Sequence, residues 1–372
     1  MKKRSVYLDV LKIIAIICVC SYHFSWAGNI EYSQQITLTT AINRFIYELS
    51  CVGVPLFFMV NGSLVFSREY TTGQWVKNMA YMVIQLFIWR VITIVVLCKA
   101  LGVSLLEHGA RYALDGMFFG EFEGINLSYQ WFIYGLIIVY LLYPFLKGAY
   151  DGKKEQSNYL LIFLGILSVL CFATKSWTTL VKVVPFLGGI ELENIRSFLG
   201  FDGIYGAMLC YFILGGVINK YKEKLKKISW LWLVLAFLAA AVALYIKWLY
   251  ESQAINATYD SVFWGYDCIA GAVLSISVYL LALKGEDAMD GLPEKIKKIT
   301  GFFGKNTMGV YYLHWLAGYI LLPMCYEAVA VHQGIGLNLL KAIVLVTVCS
   351  IVAELLEKLP VVGCLFHTRY RR

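Results

Sequence analysis

Apolar stretches of about twenty residues recur ten times along this chain, and nothing else in it narrows the fold as much. A helix needs about twenty residues to cross the hydrocarbon core of a bilayer, where each backbone N–H and C=O must find its partner within the protein. The spacing therefore predicts membrane helices at 7–26, 46–66, 76–98, 129–148, 159–175, 203–219, 229–248, 261–283, 304–324 and 337–356. The expected fold class is all-α, a polytopic membrane helix bundle forming a single domain over 1–372 with the lipid bilayer as its surroundings. Composition agrees: 60% of residues are hydrophobic and 15% charged, where a soluble chain carries about a quarter charged.

The net charge of +8 could suit nucleic acid, but the basic residues fall in short clusters between apolar stretches, which is a membrane-topology pattern. No nucleic-acid partner is expected. The amino terminus, alternate loops such as Lys220 to Lys227 and Lys284 to Lys305, and the carboxyl terminus together hold 22 of the 32 lysines and arginines. Both termini are therefore expected to be cytoplasmic. The ten cysteines show no paired spacing, so neither a disulfide framework nor a metal site is predicted.

The first stretch, Tyr7 to Trp26, carries Asp9, Lys12 and His23 inside an apolar run. Eleven residues separate Lys12 from His23, which at about 100° per residue returns to one helix face roughly 16 Å further along. Asp9 lies near that face. Titratable groups within a membrane are costly and mark functional sites by default. Two plainer readings stay open: Lys12 could snorkel to headgroups while His23 caps the interface, and MKKR before an apolar run with Ser25-Trp26-Ala27 resembles a secretory signal. Asp9, Lys12 and His23 leave that signal an apolar region at the short end of the usual range.

Further along, Gly53-Val54-Pro55-Leu56-Phe57-Phe58-Met59-Val60-Asn61-Gly62 is by itself a close-packing signal. Arg90, in the outer half of the third span, cannot be neutralised and is open to a substrate-facing or a structural ion-pair reading. Trp131 and Tyr134 open the fourth span, where aromatic belt residues are ordinary. Two long outer segments, 99–128 and 176–202, are charged and aromatic, with Glu121 and Glu123 in the first. They read as a binding surface or a structural lid. In the ninth span His314 stands eight residues, about two turns, beyond Asn306 and near the same face.

Taken together these stretches resemble the acyltransferase-3 family of bacterial integral-membrane enzymes, in the stand-alone form without a fused hydrolase-like domain. Lys12 to His23 reproduces a basic residue, ten intervening residues and a histidine. Gly53, Leu56, Phe57, Phe58 and Gly62 are similar to the pattern of its second helix, and Trp131-Phe132-Ile133-Tyr134 with Tyr140 and Pro144 to its fourth. Tyr211 to Gly215 resembles its glycine-ended sixth span, and Asn306 to His314 its Asn-Ser-x-Gly-x-Tyr-x-x-His signature with Thr307 in place of serine. The basic residue of the first motif is usually arginine. The paired arginines at the start of the third helix are missing, and only Lys77 and Arg68 stand where they would be.

The resemblance implies a bacterial plasma-membrane enzyme moving an acyl group, most often acetyl, from a cytoplasmic acyl-CoA such as acetyl-CoA to a hydroxyl of an outward-facing glycan or cell-wall acceptor. No bound cofactor is expected. Within it His23 is the expected general base, because imidazole titrates near neutrality. His314 and Asn306 are expected to orient the thioester or donate to the oxyanion. Asp9, Lys12 and Lys77 are the expected donor-binding residues. The rival expectation is a transporter or flippase of a lipid-linked sugar, but no inverted repeat or recurring broken helix links the halves.

Overall fold

A computed structural model describes residues 4–26, 36–102, 104, 116, 127–183, 204–326, 335–360 and 362–366. Every regular element among them is helical. Each predicted interval is occupied by a helix. Seven are long and apolar enough to cross a membrane by length and composition: Val6–His23, Leu38–Phe66, Thr72–Leu101, Trp131–Asp151, Lys154–Val181, Trp230–Ile255 and Leu339–Glu357. Ile204–Lys220 and Ile269–Lys284 are shorter apolar helices.

The helices are α1 (Val6–Cys20), α2 (Leu38–Glu48), α3 (Gly53–Phe66), α4 (Thr72–Leu101), α5 (Trp131–Asp151) and α6 (Lys154–Ser168). They continue as α7 (Thr174–Val183), α8 (Ile204–Lys220), α9 (Trp230–Ile255), α10 (Ile269–Lys284), α11 (Glu294–Tyr326) and α12 (Ile335–Glu357). The chain divides into two compact units. One comprises Met1–Arg68, Leu142–Gly304 and Gln333–Ala342, the other Glu69–Leu141, Lys305–His332 and Ile343–Arg372.

Three boundaries differ from the hydropathy reading, each for a local reason. The first helix is not uniformly α: it widens into a π turn at Ser21–Trp26, so His23 does not keep the uninterrupted α-helical projection from Lys12. The second stretch starts earlier, as α2, capped by the Thr37 hydroxyl accepting from the Thr40 N–H at 3.2 Å. A 3-10 turn at Leu49–Val52 then leads into α3, where Pro55 takes the third position, a place at which its missing N–H costs no intrahelical bond. The predicted interval 261–283 holds α10, which starts at Ile269, not 261. Side chains hold the backbone before it: Ser252 Oγ accepts from Tyr259 N–H at 3.0 Å, Asp260 Oδ1 from Phe263 N–H at 3.1 Å, and Lys247 Nζ donates to the Trp264 carbonyl.

In the first unit the most extensive packing is α3 against α8, followed by α9 against α10 and α1 against α3. Small residues decide the α3–α8 approach. A Cβ at Gly62 would lie 2.9 Å from the Phe212 carbonyl carbon and nearer its oxygen, and one at Gly215 2.6 Å from the Met59 carbonyl carbon. Backbones this close exclude any side chain larger than hydrogen. The Ser63 hydroxyl donates to the Gly215 carbonyl at 2.7 Å and lies 2.5 Å from the Tyr279 hydroxyl. A carbonyl only accepts, so Tyr279 is the donor to Ser63, and α3, α8 and α10 share one buried polar junction.

In the second unit α4 opens with a capping box, Thr71 and Gln74 bonding each other's backbone, and ends on Gly102 in the left-handed conformation, φ 71°. Helix α5, whose first part belongs to this unit and whose remainder from Leu142 belongs to the first, runs through Pro144 without ending. Proline has no N–H for the carbonyl four residues earlier, that of Tyr140, and the Trp75 indole N–H supplies the bond at 2.8 Å. The indole of Trp89 likewise donates to the Leu365 carbonyl at 2.9 Å and stacks on Tyr312, centroids 4.9 Å apart.

Candidate active site

Asp9 sits on the first turns of α1, buried to 2% exposure, with two cations on one carboxylate. Arg4 reaches it through Nε, and through Nη2 at 3.0 Å, while Lys12 Nζ lies 3.1 Å away. Arg4 also donates to the Gly301 carbonyl at 2.8 Å and Lys12 to that of Gly304 at 3.4 Å, which ties α1 to the first half of α11. Lys12 therefore points to protein partners and does not snorkel. A Cβ at Gly304 would lie 2.7 Å from the Asp9 carboxyl carbon, so only glycine admits the carboxylate there. One anion against two cations leaves a net positive charge. Spacing predicted Asp9 and Lys12 together, but gave no sign of Arg4 or Gly304.

His23 lies beyond, in the π turn, edge-on to Tyr22 with ring centroids 4.8 Å apart. The Tyr22 hydroxyl donates to Asp260 Oδ2 at 2.5 Å, and its ring runs near-parallel to Tyr47. The Arg44 guanidinium covers Tyr47 at 4.4 Å and Trp248 at 4.7 Å. It also donates to Glu48 Oε1 at 2.7 Å and Ser261 Oγ at 2.8 Å. Sequence reading passed over Arg44, Glu48 and Asp260. Its one available signal was Arg44-x-x-x-Glu48, an i,i+4 ion pair entering an apolar helix.

The second unit holds His314, fully buried on α11. Tyr129 meets its ring edge-on at 5.4 Å, with Tyr311 at 5.7 Å and Trp315 at 6.2 Å. Nδ1 lies 2.5 Å from the Tyr311 carbonyl. Because the carbonyl only accepts, Nδ1 carries the proton, and the neutral ring then has its lone pair on Nε2. Asn306, two turns earlier, donates to Glu354 Oε2 at 3.1 Å, and Lys305 pairs with Glu354 at 3.1 Å and Glu357 at 2.6 Å. Glu354 and Glu357, the two carboxylates near the end of the apolar last helix, are partners that sequence reading did not name.

Arg90, buried to 3% exposure on α4, donates to Gln130 Oε1 and the Tyr134 hydroxyl, both at 3.1 Å, and to the Gly116 carbonyl at 3.3 Å. Tyr134, read as a belt residue, is thus part of a buried network. Trp131 is half-buried beside it, and Lys77 is exposed on α4. Glu121 and Glu123, with most of 99–128 and the part of 176–202 beyond Val183, lie outside the described residues.

A family model described as an acyltransferase domain matches residues 5–355, nearly the whole chain. No curated protein matches, and no solved structure does.

Proposed function

This chain belongs to the acyltransferase-3 family of membrane enzymes, and on that premise we propose a donor, an acceptor and residue roles for its reaction. The protein is a membrane acyltransferase. We propose that it takes an acetyl group from a cytoplasmic acyl-CoA and passes it to a hydroxyl of an extracytoplasmic glycan or cell-wall precursor. The membrane is the bacterial plasma membrane, with both termini on its cytoplasmic side.

The observation that carries this reading is the polarity of α1. A cation-rich cluster around Asp9 occupies its start, and an imidazole follows at its end in a π turn, a distortion often found at functional sites. Arg4 and Lys12 suit the phosphates of the donor. His23 takes the hydroxyl proton as the oxygen bonds to the acyl carbon. The carbon–sulfur bond then breaks, and the CoA thiolate leaves with the proton that His23 had taken, which restores the neutral imidazole.

His314 and Asn306 divide the remaining work. Eight residues of continuous helix separate them by about 12 Å, so one thioester oxygen cannot reach both. His314 orients the thioester. Asn306 meets the donor further along its length.

The test is purified protein in detergent with acetyl-CoA and a mixture of glycan and wall-fragment acceptors. Acceptor-dependent release of free thiol supports the reading. Absence of release, with sugar flux across liposomes carrying the protein, removes it in favour of transport.

A further inference from the structure

Gln130 closes the 3-10 turn Ser128–Gln130 that leads into α5, and it is wholly buried. Its amide joins two groups of unlike kind. A guanidinium only donates, so the atom 3.1 Å from Arg90 Nη1 is the amide oxygen, and the amide nitrogen donates to the Tyr129 hydroxyl at 3.3 Å. Tyr129 is pinned elsewhere too. Its ring stacks on Trp315, centroids 4.7 Å apart and planes 14° from parallel, and its backbone carbonyl accepts from the Tyr311 hydroxyl at 2.7 Å. That same ring meets the His314 imidazole at 89°. Gln130 therefore links the Tyr129 hydroxyl to Arg90, with Thr93 as a further partner of the same phenol.

Packing alone does not account for this. A leucine fills a buried glutamine site without demanding a hydrogen-bond partner, and a guanidinium and an amide held inside a membrane protein are expensive unless they serve a purpose. Together they define the position of one aromatic wall to within the tolerance of two hydrogen bonds and a stack. The wall borders an imidazole whose Nδ1 is already fixed on the Tyr311 carbonyl. Turning that ring loses the Nδ1 bond.

We propose that Gln130 is a positioning residue for His314, transmitting the fixed placement of Arg90 to the imidazole through the Tyr129 ring. The proposal rests on His314 working in acyl transfer as described above. It also assigns Arg90 its part: the guanidinium anchors the relay and does not meet substrate.

The experiment uses full-length purified protein carrying Gln130→Leu, Tyr129→Phe, and both. The readouts are kcat and KM for acceptor-dependent thiol release, and the ¹⁵N-histidine resonances of His314, assigned by their loss in His314→Gln. Each single substitution is expected to lower kcat by about 10- to 100-fold with KM for acetyl-CoA unchanged, and to move the His314 signals. The double variant is expected to be no worse than the poorer single one, because both cut the same relay. Gln130→Glu still accepts from Arg90 and now accepts from Tyr129, so it keeps most of kcat.

Losses that multiply in the double variant, or His314 signals that stay in place in the folded single variants, overturn the proposal. If Gln130→Leu does not fold, Tyr129→Phe, which keeps the ring and its stack, decides by the same two readouts. Signals that move in a protein releasing no thiol support the positioning while removing the acyl-transfer reading.

Discussion

Replacing Gly62 by alanine tests the packing on which the first unit depends. The new methyl group would begin 2.9 Å from the Phe212 carbonyl carbon and closer to its oxygen, where ordinary contact between carbons needs about 3.5–4.0 Å. Backbone cannot rotate aside as a side chain can, so α3 and α8 must part by about 1 Å. A gap of that size forfeits up to about half of the dispersion well for each facing pair. It also stretches the 2.7 Å bond from Ser63 to the Gly215 carbonyl beyond hydrogen-bonding range. Overpacking costs about 1–3 kcal/mol and the lost bond about 1 kcal/mol, so the expected destabilisation is about 2–4 kcal/mol. Gly215→Ala, facing the Met59 backbone, should behave alike. Gly165→Ala on α6 is the control, with nothing within 4 Å of the added carbon, and should be neutral or slightly stabilising. Reversible unfolding in mixed detergent micelles measures all three. Equal stability of Gly62→Ala and Gly165→Ala would show that the two backbones do not meet as described.

Other consequences follow from single contacts. Trp75→Phe removes the donor to the Tyr140 carbonyl and should cost about 1 kcal/mol, whereas in a Pro144→Ala background, where the helix regains its own N–H, the same change should cost little; equal costs in both backgrounds refute the compensation. Asp9→Asn leaves Arg4 and Lys12 facing each other without their counter-ion and, with the Arg4 head half in solvent, should destabilise by about 1–2 kcal/mol in thermal unfolding, and Gly304→Ala should do similar damage by displacing the carboxylate. A stable Asp9→Asn protein would mean that Asp9 does not hold the pair. For Lys12, arginine should retain more acyl transfer than methionine if the charge meets the donor. Equal loss from both points to packing, with initial rates against acetyl-CoA concentration as the measurement.

How much of this was legible beforehand depends on whether a feature is local. Hydropathy placed a helix in each interval it marked, seven of them long and apolar enough to cross a membrane among the described residues, because a membrane helix must be apolar along its own length whatever it packs against. It placed the start of α10 eight residues early, since a turn held by Ser252, Asp260 and Lys247 is as apolar in composition as the helix that follows. The stripe of Asp9 and Lys12 was visible from the 3.6-residue repeat. Their partners were not, because Arg4 joins Asp9 from outside the helix and Gly304 comes from 292 residues further along. Arg90 was visible as a charge out of place, but its ligands were hidden among residues that pass for an interfacial belt. Tyr129, Gln130 and Tyr134 acquire their meaning only once α4 stands beside α5.

Acyl transfer by His23→Ala, measured as acceptor-dependent thiol release from acetyl-CoA at matched protein abundance and membrane insertion, bears most directly on the chemistry assigned to this membrane protein. Loss of transfer to background is expected, because alanine has no ring nitrogen to take the acceptor's proton. Transfer at the wild-type rate would contradict the assignment of His23 as the base, and with it the passage of an acyl group along α1.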